Sequence, residues 1–455
     1  MRALVLPLAA ALLSPDSVAA IQREELSGSH AYTIVRSLCD EVGPRLAGSP
    51  GDRAAVGWAT RTMQGLGLSG VHTESVRVTH WERGAERAEM VSPVKQRLVV
   101  TALGGSVGTP AAGVEAEVVE AASVDELRKL PPEAARGKIV FLDPIMRRAR
   151  DGSGYGDAVQ SRARGAGEAA KLGAVALLFR SVGTDHNRLP HTGAKLKDDR
   201  EIPAAAISVP DAEELHRVLA EKKVVRVRLS LGAHELPDAQ SANVVGEVTG
   251  RERPGEIVLI GAHLDSWDLG AGAIDDGAGV AIALETARLF ATMAVKPRRT
   301  LRVVLFANEE HGLEGAKEYA RVHSAEAAAH VLAIEADFGA DAVYAVRWLG
   351  DPATRERFEA LARVLAPLGV GREDQAAEGG ADVSPLRKLG VPVLDLRQDG
   401  TRYFDFHHSA NDTVDKIDPG VLAQAAAAFA SAAWAAAEMD GDFGRIPEAM
   451  RKEPR

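Results

Sequence analysis

Four predominantly apolar runs in the C-terminal half of the chain are each followed by residues that can bind a metal ion. The runs are four to eight residues long and rich in valine, isoleucine and leucine, which predicts buried strands. They occupy residues 257–260, 300–307, 331–334 and 391–394. In open parallel α/β sheets, sites form at the carboxyl ends of strands. We therefore expect the segments after these runs to meet in space, although they lie far apart in the sequence.

The segments that follow the runs are rich in carboxylates and imidazoles. The first, GAHLDSWDLGAGAIDDGAG at residues 261–279, holds one histidine and four aspartates. The others are NEEHG at 308–312, EAD at 335–337 and FHHSANDT at 406–413. Carboxylates crowded at one strand end repel each other unless a cation lies among them. The sequence therefore predicts a metal site, and we expect zinc, with two ions per chain.

The composition limits the classes of function. At 455 residues the chain is long enough for two domains and a large core. The formal net charge of −10 argues against a nucleic-acid partner. Cys39 is the only cysteine, so an internal disulfide and a cysteine-ligated zinc site are both excluded. A metal must then be held by histidine, aspartate and glutamate.

Residues 1–20 have the pattern of an export signal. Arg2 precedes an apolar segment at residues 3–13, and small residues at 17–20 offer a cleavage site. A buried N-terminal helix is the alternative. The apolar segment is too short to span a bilayer, and we expect no other run of about 18 apolar residues, hence no membrane anchor. The pattern predicts a secreted or periplasmic protein.

The spacing of predicted strands and helices divides the rest of the chain. Residues 21–110 combine helices with two strands, and residues 111–238 hold five short strand candidates with helical patterns between some of them. An alternating α/β pattern runs from 239 to 440, and residues 441–455 form a polar tail. We expect an α/β domain, formed by 21–110 and 239–440, that is interrupted by an inserted domain.

The ordered set of motifs resembles a known family. HLDSWD, DDG, EE, E-x-D and HHS-x-x-DT occur in the same order as in the co-catalytic zinc aminopeptidases, a family that includes bacterial leucyl aminopeptidases and glutamate carboxypeptidases. The resemblance is greatest to the carboxypeptidase Q group, and it extends to GPRLAGS at 43–49, RSV at 180–182 and PHTG at 190–193. It implies a mixed, largely parallel sheet flanked by helices, the zinc-exopeptidase fold, with an inserted protease-associated domain that is β-rich and α/β. It also implies a homodimer.

The resemblance implies a role for each residue at the strand ends. His263 and Asp337 would hold one zinc ion, Glu310 and His408 the other, and Asp275 would bridge the two. Glu309 would be the general base for a hydroxide that bridges the metals. Spacing alone does not distinguish Glu309 from Glu310, or Asp275 from Asp276. The HS-x-x-DT pattern favours His408 over His407 as the ligand.

Further residues have expected roles around this site. Asp265 would accept the second imidazole N–H of His263. Asp276 would lie just outside the metal ligands, with a cis peptide bond between it and Asp275. His407 would stabilise the tetrahedral intermediate. Asp382 would bind the ammonium group of a substrate, or alternatively cap a loop. We expect Trp267 to pack behind the site, and three more histidines, His311, His323 and His330, to lie at the surface.

These features predict a two-zinc exopeptidase that hydrolyses dipeptides or short peptides. A free N-terminus is the favoured recognition element, although the sequence leaves open which end of the peptide is bound. Two alternatives remain. One is a single-zinc acyltransferase like the glutaminyl cyclases, and the other is a binding ectodomain that has the peptidase fold without its activity.

Overall fold

The computed structural model describes residues 15–451. Most of the predicted export signal therefore lies outside the described residues. The helices, several of which flank one large sheet, are α1 (Pro15–Gly28), α2 (Ala31–Glu41), α3 (Pro50–Gly65), α4 (Val124–Lys129), α5 (Pro132–Ala135), α6 (Tyr155–Lys171), α7 (Val209–Ala220), α8 (Ala278–Thr292), α9 (Glu314–Val322), α10 (Arg355–Leu365), α11 (Ser384–Lys388) and α12 (Pro419–Glu438).

The strands of the described residues form two eight-stranded sheets. They are β1 (Ser69–Glu82), β2 (Glu86–Ser92), β3 (Gln96–Leu98), β4 (Val100–Ala102), β5 (Val114–Ala121), β6 (Ile139–Leu142), β7 (Ala176–Arg180), β8 (Ala204–Ile207), β9 (Arg226–Leu231), β10 (His234–Val248), β11 (Arg253–His263), β12 (Arg299–Phe306), β13 (His330–Glu335), β14 (Val343–Leu349), β15 (Gly371–Ala376) and β16 (Val393–Gln398).

The first sheet has the order β1-β10-β12-β11-β13-β16-β14-β15. Its four central strands, β12, β11, β13 and β16, are parallel to one another. Antiparallel pairs flank them on both sides, β10 with β12 and β14 with β16. The four predicted apolar runs are these four central strands, so their carboxyl ends lie side by side at one edge of the sheet. The predicted mixed α/β sheet is confirmed.

Alternating side chains of the central strands fill two separate cores. Val258 and Ile260 of β11 pack into one core, and Ile257 and Leu259 pack into the other, because successive residues of a strand point to opposite faces. Helices α1, α2, α8 and α12 pack together over the first face. On the second face the core includes Tyr319 of α9 and Leu386 of α11. Helices on both faces explain why these strands are apolar throughout.

Helix α12 differs from the expectation about apolar runs. Within the described residues it is long and apolar enough to cross a membrane by length and hydropathy, yet 83% of its most apolar window is buried inside the fold. It packs against α1, α2, α8 and α10. Its many alanines permit close approach to these helices, so the length and composition of α12 are explained by its place at the centre of the core.

The second sheet has the order β3-β2-β9-β5-β6-β7-β8-β4 and belongs to a separate unit. All its strands lie between β1 and β10 of the first sheet, so residues 84–233 form an insert. The insert begins earlier than the expected boundary at 111, because β2, β3 and β4 pair with strands of this second sheet. It also ends before 238, because β10 pairs with β1 from His234 onwards.

Helix α1 already begins at Pro15, within the predicted export signal, with Val18 and Ile21 buried. The surface positions expected for His330 and His323 require correction. His330 is not at the surface but fully buried in β13, where its Nε2 lies 3.0 Å from the hydroxyl of Tyr319. His323, in turn, is partly buried and contacts Glu74.

Candidate metal centre

The predicted site residues gather at the carboxyl ends of the four parallel strands. His263 is the last residue of β11, and Asp337 lies two residues beyond β13. Glu309 and Glu310 follow β12. His408 lies in the loop after β16, beyond a short 3₁₀ turn at Tyr403–Asp405. The expected convergence of these strand ends is therefore present in the fold.

Asp275 lies between two groups of side chains. It belongs to the turn Ala273–Gly277 that precedes α8, and its peptide bond to Asp276 is cis, as expected. Its Oδ1 lies 3.1 Å from Nε2 of His263, and its Oδ2 lies 3.2 Å from Nε2 of His408. The two oxygens of one carboxylate therefore face two different histidines.

Each histidine has a further carboxylate beside it. Nε2 of His263 lies 3.6 Å from Oδ1 of Asp337, and Nε2 of His408 lies 2.9 Å from Oε2 of Glu310. Four-coordinate zinc with ligand bonds of about 2.0–2.2 Å holds its ligand atoms roughly 3.3 Å apart. The spacings on both sides of Asp275 are close to that value, so the five side chains fit a pair of zinc ions.

Unpaired polar atoms also suit a cation at this place. Among the described residues, Oδ2 of Asp275 and Oε1 of Glu310 are buried without a hydrogen-bond partner. Buried carboxylate oxygens without a donor are costly, whereas a divalent cation would satisfy them. All the ligand atoms are nitrogen or oxygen, in keeping with the absence of a nearby thiol, and both are ligand types of zinc.

The two adjacent histidines of the loop are not equivalent. The ring of His407 stacks on that of His408 at a centroid distance of 3.5 Å. Nε2 of His407 lies 3.7 Å from Oδ2 of Asp275, farther than the corresponding atom of His408. Burial and the neighbouring His408 hold the pKa of His407 well below its usual range, so His407 is neutral. Its Nδ1 is buried without a hydrogen-bond partner.

Glu309 and Glu310 have different surroundings although they are adjacent. Glu310 is buried, and its Oε2 accepts a hydrogen bond of 2.6 Å from Nε1 of Trp267. Glu309 is partly exposed, and its backbone N–H donates to Oδ1 of Asp265 at 3.0 Å. Asn308 just before them has φ +59°, so the backbone bends where the pair begins. That bend lets neighbouring side chains serve different functions.

The site is electrostatically unbalanced without a cation. Removal from water, together with the charges of Asp337 and Glu310, raises the pKa of Glu309 well above its usual range. Burial and Asp337 do the same to the pKa of Asp276. Burial alone would lower the pKa of His408, but Glu310 and Asp275 raise it to about 9. Each of these shifts is a response to excess negative charge in a region with little water.

One of the supporting contacts, that of Asp265, differs from expectation. Nδ1 of His263 lies 3.1 Å from the main-chain oxygen of Asp265 and 3.6 Å from its carboxylate, so the carbonyl is the hydrogen-bond acceptor. The chain leaves the extended conformation after His263, which turns the Asp265 side chain towards Glu309. Asp276 accepts from the backbone N–H of His263 at 3.1 Å and from that of Gly279 at 3.1 Å. Asp276 therefore ties the β11 end to the start of α8.

Asp382 lies near this centre with an unusual environment. It is 1% exposed, and neither of its carboxylate oxygens has a hydrogen-bond partner among the described residues. Burial, followed by the charges of Glu335 and Glu309, raises its pKa well above the usual range. The alternative role as a loop cap is therefore not supported, because a cap would accept a backbone N–H.

Sequence reasoning missed several residues that hold the site in place. Asp412 accepts the backbone N–H groups of Ile274 at 2.6 Å and Asp275 at 3.2 Å. The fully buried Arg45 donates to the carbonyls of Leu264 at 2.6 Å and Gly272 at 2.8 Å. Both residues lie in motifs that carry the resemblance, GPRLAGS and HHS-x-x-DT. For Arg45, a charged residue among small and apolar ones in GPRLAGS was the available signal.

Comparison with known proteins agrees with this geometry. The family model described as peptidase family M28 matches residues 243–433. Mouse carboxypeptidase Q is 40% identical over 414 residues, which covers 90% of this chain and 86% of the mouse protein. Human carboxypeptidase Q is 38% identical over 415 residues, with the same two shares.

The chain belongs to peptidase family M28. This confirms the family resemblance predicted from the motifs. The matched region of the family model contains every residue placed at the centre, from His263 to His408.

Solved structures of M28 peptidases share the fold. A peptidase M28 precursor from Shewanella amazonensis SB2B superposes with a TM-score of 0.93 at 47% identity, covering 95% of this chain and 98% of that one. A zinc aminopeptidase from Bacillus subtilis superposes with a TM-score of 0.67 at 20% identity, covering 92% of this chain and 98% of its own. The second likeness shows the fold alone. The M28 precursor covers the insert as well as the catalytic sheet.

Proposed function

We propose that this M28 peptidase is a two-zinc exopeptidase that hydrolyses dipeptides or short peptides. The observation that carries the proposal is the position of Asp275, whose two oxygens face His263 and His408 at 3.1 and 3.2 Å. A carboxylate in this position is suited to two cations rather than one, because each oxygen belongs to a different group of ligands. The zinc named for a Bacillus subtilis relative supports the choice of metal.

The distances support the ligand sets that the resemblance implies. His263 and Asp337 would hold one zinc ion, Glu310 and His408 the other, and Asp275 would contribute an oxygen to each. Two bound zinc ions would supply Lewis acidity, polarising the scissile carbonyl and lowering the pKa of water. Nε1 of Trp267 donates to Oε2 of Glu310, and this hydrogen bond fixes the orientation of the carboxylate that would bind the metal.

Glu309 is the proposed general base. Its carboxylate is next to the ligand Glu310 but has no part in the contacts around Asp275, so it is free to accept a proton from the attacking water and pass it to the leaving amine. The hydrogen bond from the backbone N–H of Glu309 to Oδ1 of Asp265 holds this part of the backbone in position.

His407 is the proposed stabiliser of the developing oxyanion. It is neutral and buried beside Asp275, and Nδ1 has no partner among the described residues. A neutral imidazole carries one N–H, which can donate to an oxygen that gains negative charge in the transition state. Stacking on His408 fixes the plane of its ring.

Asp382 is the proposed acceptor for the substrate's ammonium group. Its two unpaired oxygens, with Glu335 nearby, form a buried acidic subsite beside the metal centre. The ammonium group of a substrate with a free N-terminus would pair with these carboxyl groups. We therefore propose that the free amino end of the peptide is bound, which makes the enzyme an aminopeptidase or dipeptidase.

One experiment tests the proposal. Purified protein is assayed against a dipeptide series with free, acetylated and amidated ends, with and without a chelator, and its zinc content is measured. We expect two zinc ions per chain, loss of activity on chelation with recovery on zinc addition, and hydrolysis only of peptides with a free amino end. Formation of pyroglutamate with one zinc would instead indicate a cyclase, and a metal-free inactive protein would indicate a binding ectodomain.

The subcellular localisation and the oligomeric state are also proposals. The N-terminal export pattern supports a secreted or periplasmic enzyme, and the family resemblance supports a homodimer. Mass spectrometry of the N-terminus of the exported protein and light scattering in solution test these two points separately.

A further inference from the structure

The insert contacts the loop that carries His407 and His408. The backbone N–H of Thr192 donates to the carbonyl of His408 at 2.9 Å. Nδ1 of His191 lies 2.6 Å from the carbonyl of His407. The backbone N–H of Thr184 donates to the carbonyl of Phe404 at 3.0 Å. Three carbonyl groups of this loop are therefore held by one segment of the insert, residues 184–192.

His408 needs such support because its backbone is strained. Its φ is +61°, in the left-handed region that residues other than glycine seldom adopt. A conformation of this kind persists only when its surroundings hold it. The bond from Thr192 is made to the carbonyl of this very residue, so the insert holds the strained conformation at the proposed zinc ligand.

The side chain of His408 is also oriented by the insert. With Nε2 directed at the carboxylates of Asp275 and Glu310, a zinc-binding imidazole carries its proton on Nδ1. That nitrogen lies 3.3 Å from the carbonyl oxygen of Thr192, which can accept the proton. Nη1 of Arg162 lies 3.2 Å from the same nitrogen and donates to the same carbonyl at 3.4 Å, and a Cβ at Gly193 would lie 2.3 Å from this Nη1. Only glycine at 193 leaves room for it.

His191 is fixed in turn by Asp185. Nε2 of His191 lies 2.9 Å from Oδ1 of Asp185, and both side chains are buried. The backbone N–H of His191 donates to Oγ of Ser181, at the end of β7, at 2.9 Å. Both ring nitrogens of His191 face oxygen acceptors, a carboxylate and a carbonyl. The ring therefore bridges Asp185 and the loop.

We propose that the insert is part of the active-site machinery, with His191 and Asp185 as positioning residues for the zinc ligand His408. The proposal rests on the proposed function, since it concerns the ligand of one zinc ion. Neither residue touches substrate or metal. They act through the backbone of the loop, and their loss would let His408 leave the conformation that directs Nε2 towards Glu310 and Asp275.

The test compares His191→Ala and Asp185→Asn with the matched control His186→Ala. His186 follows Asp185 in the insert, its side chain is 67% exposed, and its Nε2 lies 3.0 Å from Oε2 of Glu213. Hydrogen exchange is measured on the metal-free chains, and zinc affinity by competition with a chelator. We expect faster exchange at Thr192 and across residues 403–412, and zinc affinity weaker by about 10- to 100-fold at one of the two sites. The control should match the wild type.

A spectroscopic signature separates positioning from general destabilisation. Cobalt substituted for zinc should show altered visible bands in His191→Ala, and His191→Asn, which keeps one donor, should restore part of the wild-type spectrum. If His191→Ala proves too unstable to purify, Asp185→Asn carries the same test, because it removes the charge while keeping an acceptor. Exchange, affinity and spectra equal to those of the control would overturn the proposal.

The two proposals fail in distinguishable ways. If the wild-type chain binds no zinc and cuts no peptide, the proposed function is wrong, and the positioning of a zinc ligand falls with it. If the wild type is an active zinc peptidase and the variants at 185 and 191 keep their zinc affinity, only the positioning proposal is wrong.

Discussion

Oε2 of Glu310 lies 2.9 Å from Nε2 of His408, although the two residues follow different strands of the sheet. The same Oε2 accepts the Nε1–H of Trp267, and the carbonyl of His408 accepts the N–H of Thr192 in the insert. Both proposed ligands are therefore held by neighbouring residues. Substitution of Glu310 and of the adjacent Glu309 should have different effects.

Glu309→Gln should keep two zinc ions and lose most turnover. The amide cannot accept a proton, while the ligand atoms around Asp275 are untouched. Loss of a general base reduces rates by about 10²- to 10⁴-fold, so we expect kcat to fall by that factor with little change in KM. Steady-state kinetics and metal analysis test this. The control Glu318→Gln, in α9 and paired with Arg321, should behave as wild type.

Asp275→Ala should reduce zinc binding at both sites. Its oxygens face both histidines, whereas His408→Ala removes a ligand from one group only. We expect less than one zinc ion per chain in Asp275→Ala and about one in His408→Ala after dialysis against a weak chelator. Elemental analysis measures the content. Equal metal loss in the two variants would contradict the bridging position of Asp275.

Phe290→Ala should destabilise the helical layer without touching the centre. Phe290 of α8 is fully buried, and its ring meets that of Trp434 in α12 edge-on at 4.9 Å. Truncation of a buried phenylalanine costs about 3–5 kcal/mol in the free energy of unfolding. Denaturant unfolding measures the change. Leu26→Ala, at a position that is 56% exposed, should change the value by less than about 0.5 kcal/mol.

A buried carboxyl pair between α1 and α8 should make stability fall as pH rises. Burial, followed by Glu285, raises the pKa of Glu25 to about 9. In the unfolded chain the pKa of a glutamate is about 4.3. Between this pH and 9, the folded state therefore binds a proton that the unfolded state has lost. The contribution of Glu25 is thus complete below about pH 4.3 and is lost as pH rises towards 9.

Glu25→Gln removes this titration while keeping a donor for Glu285. We expect the variant to be more stable than wild type at pH 8 and its midpoint temperature to vary less between pH 5 and 9. Thermal unfolding across this range measures it. Glu24→Gln, whose side chain is 47% exposed, is the control and should keep the wild-type slope. A slope in Glu25→Gln equal to that of the wild type would contradict the raised pKa of Glu25.

The central strands could be predicted because their signal is local. Each is an unbroken apolar run, and burial on both faces makes that pattern strong. The boundary of the insert could not be predicted in the same way. Strand β4 is three residues long and pairs with β8, about a hundred residues further along. No local pattern in residues 100–102 states which sheet they join.

The site, like the fold, could be predicted from the sequence only in part. The residue types at the strand ends indicated a metal centre, because carboxylates and imidazoles there have few other uses. The sequence did not show which oxygen of Asp265 accepts the hydrogen bond from His263. That depends on the backbone after β11, where the chain leaves the extended conformation. The contact of Thr192 with His408 joins two units of the fold, so neither segment reveals it alone.

The long antiparallel ribbon of β1 and β10 carries a consequence for the origin of the insert. The chain leaves through Gly84 and returns through Gly232, so near to each other that a Cβ on Gly84 would lie 2.6 Å from the oxygen of Gly232. The insert is thus attached at the tip of a hairpin, so its two chain connections are adjacent and its removal would leave the pairing of β1 with β10 in place. A related chain without the insert would need another hydrogen-bond donor for the carbonyl of His408.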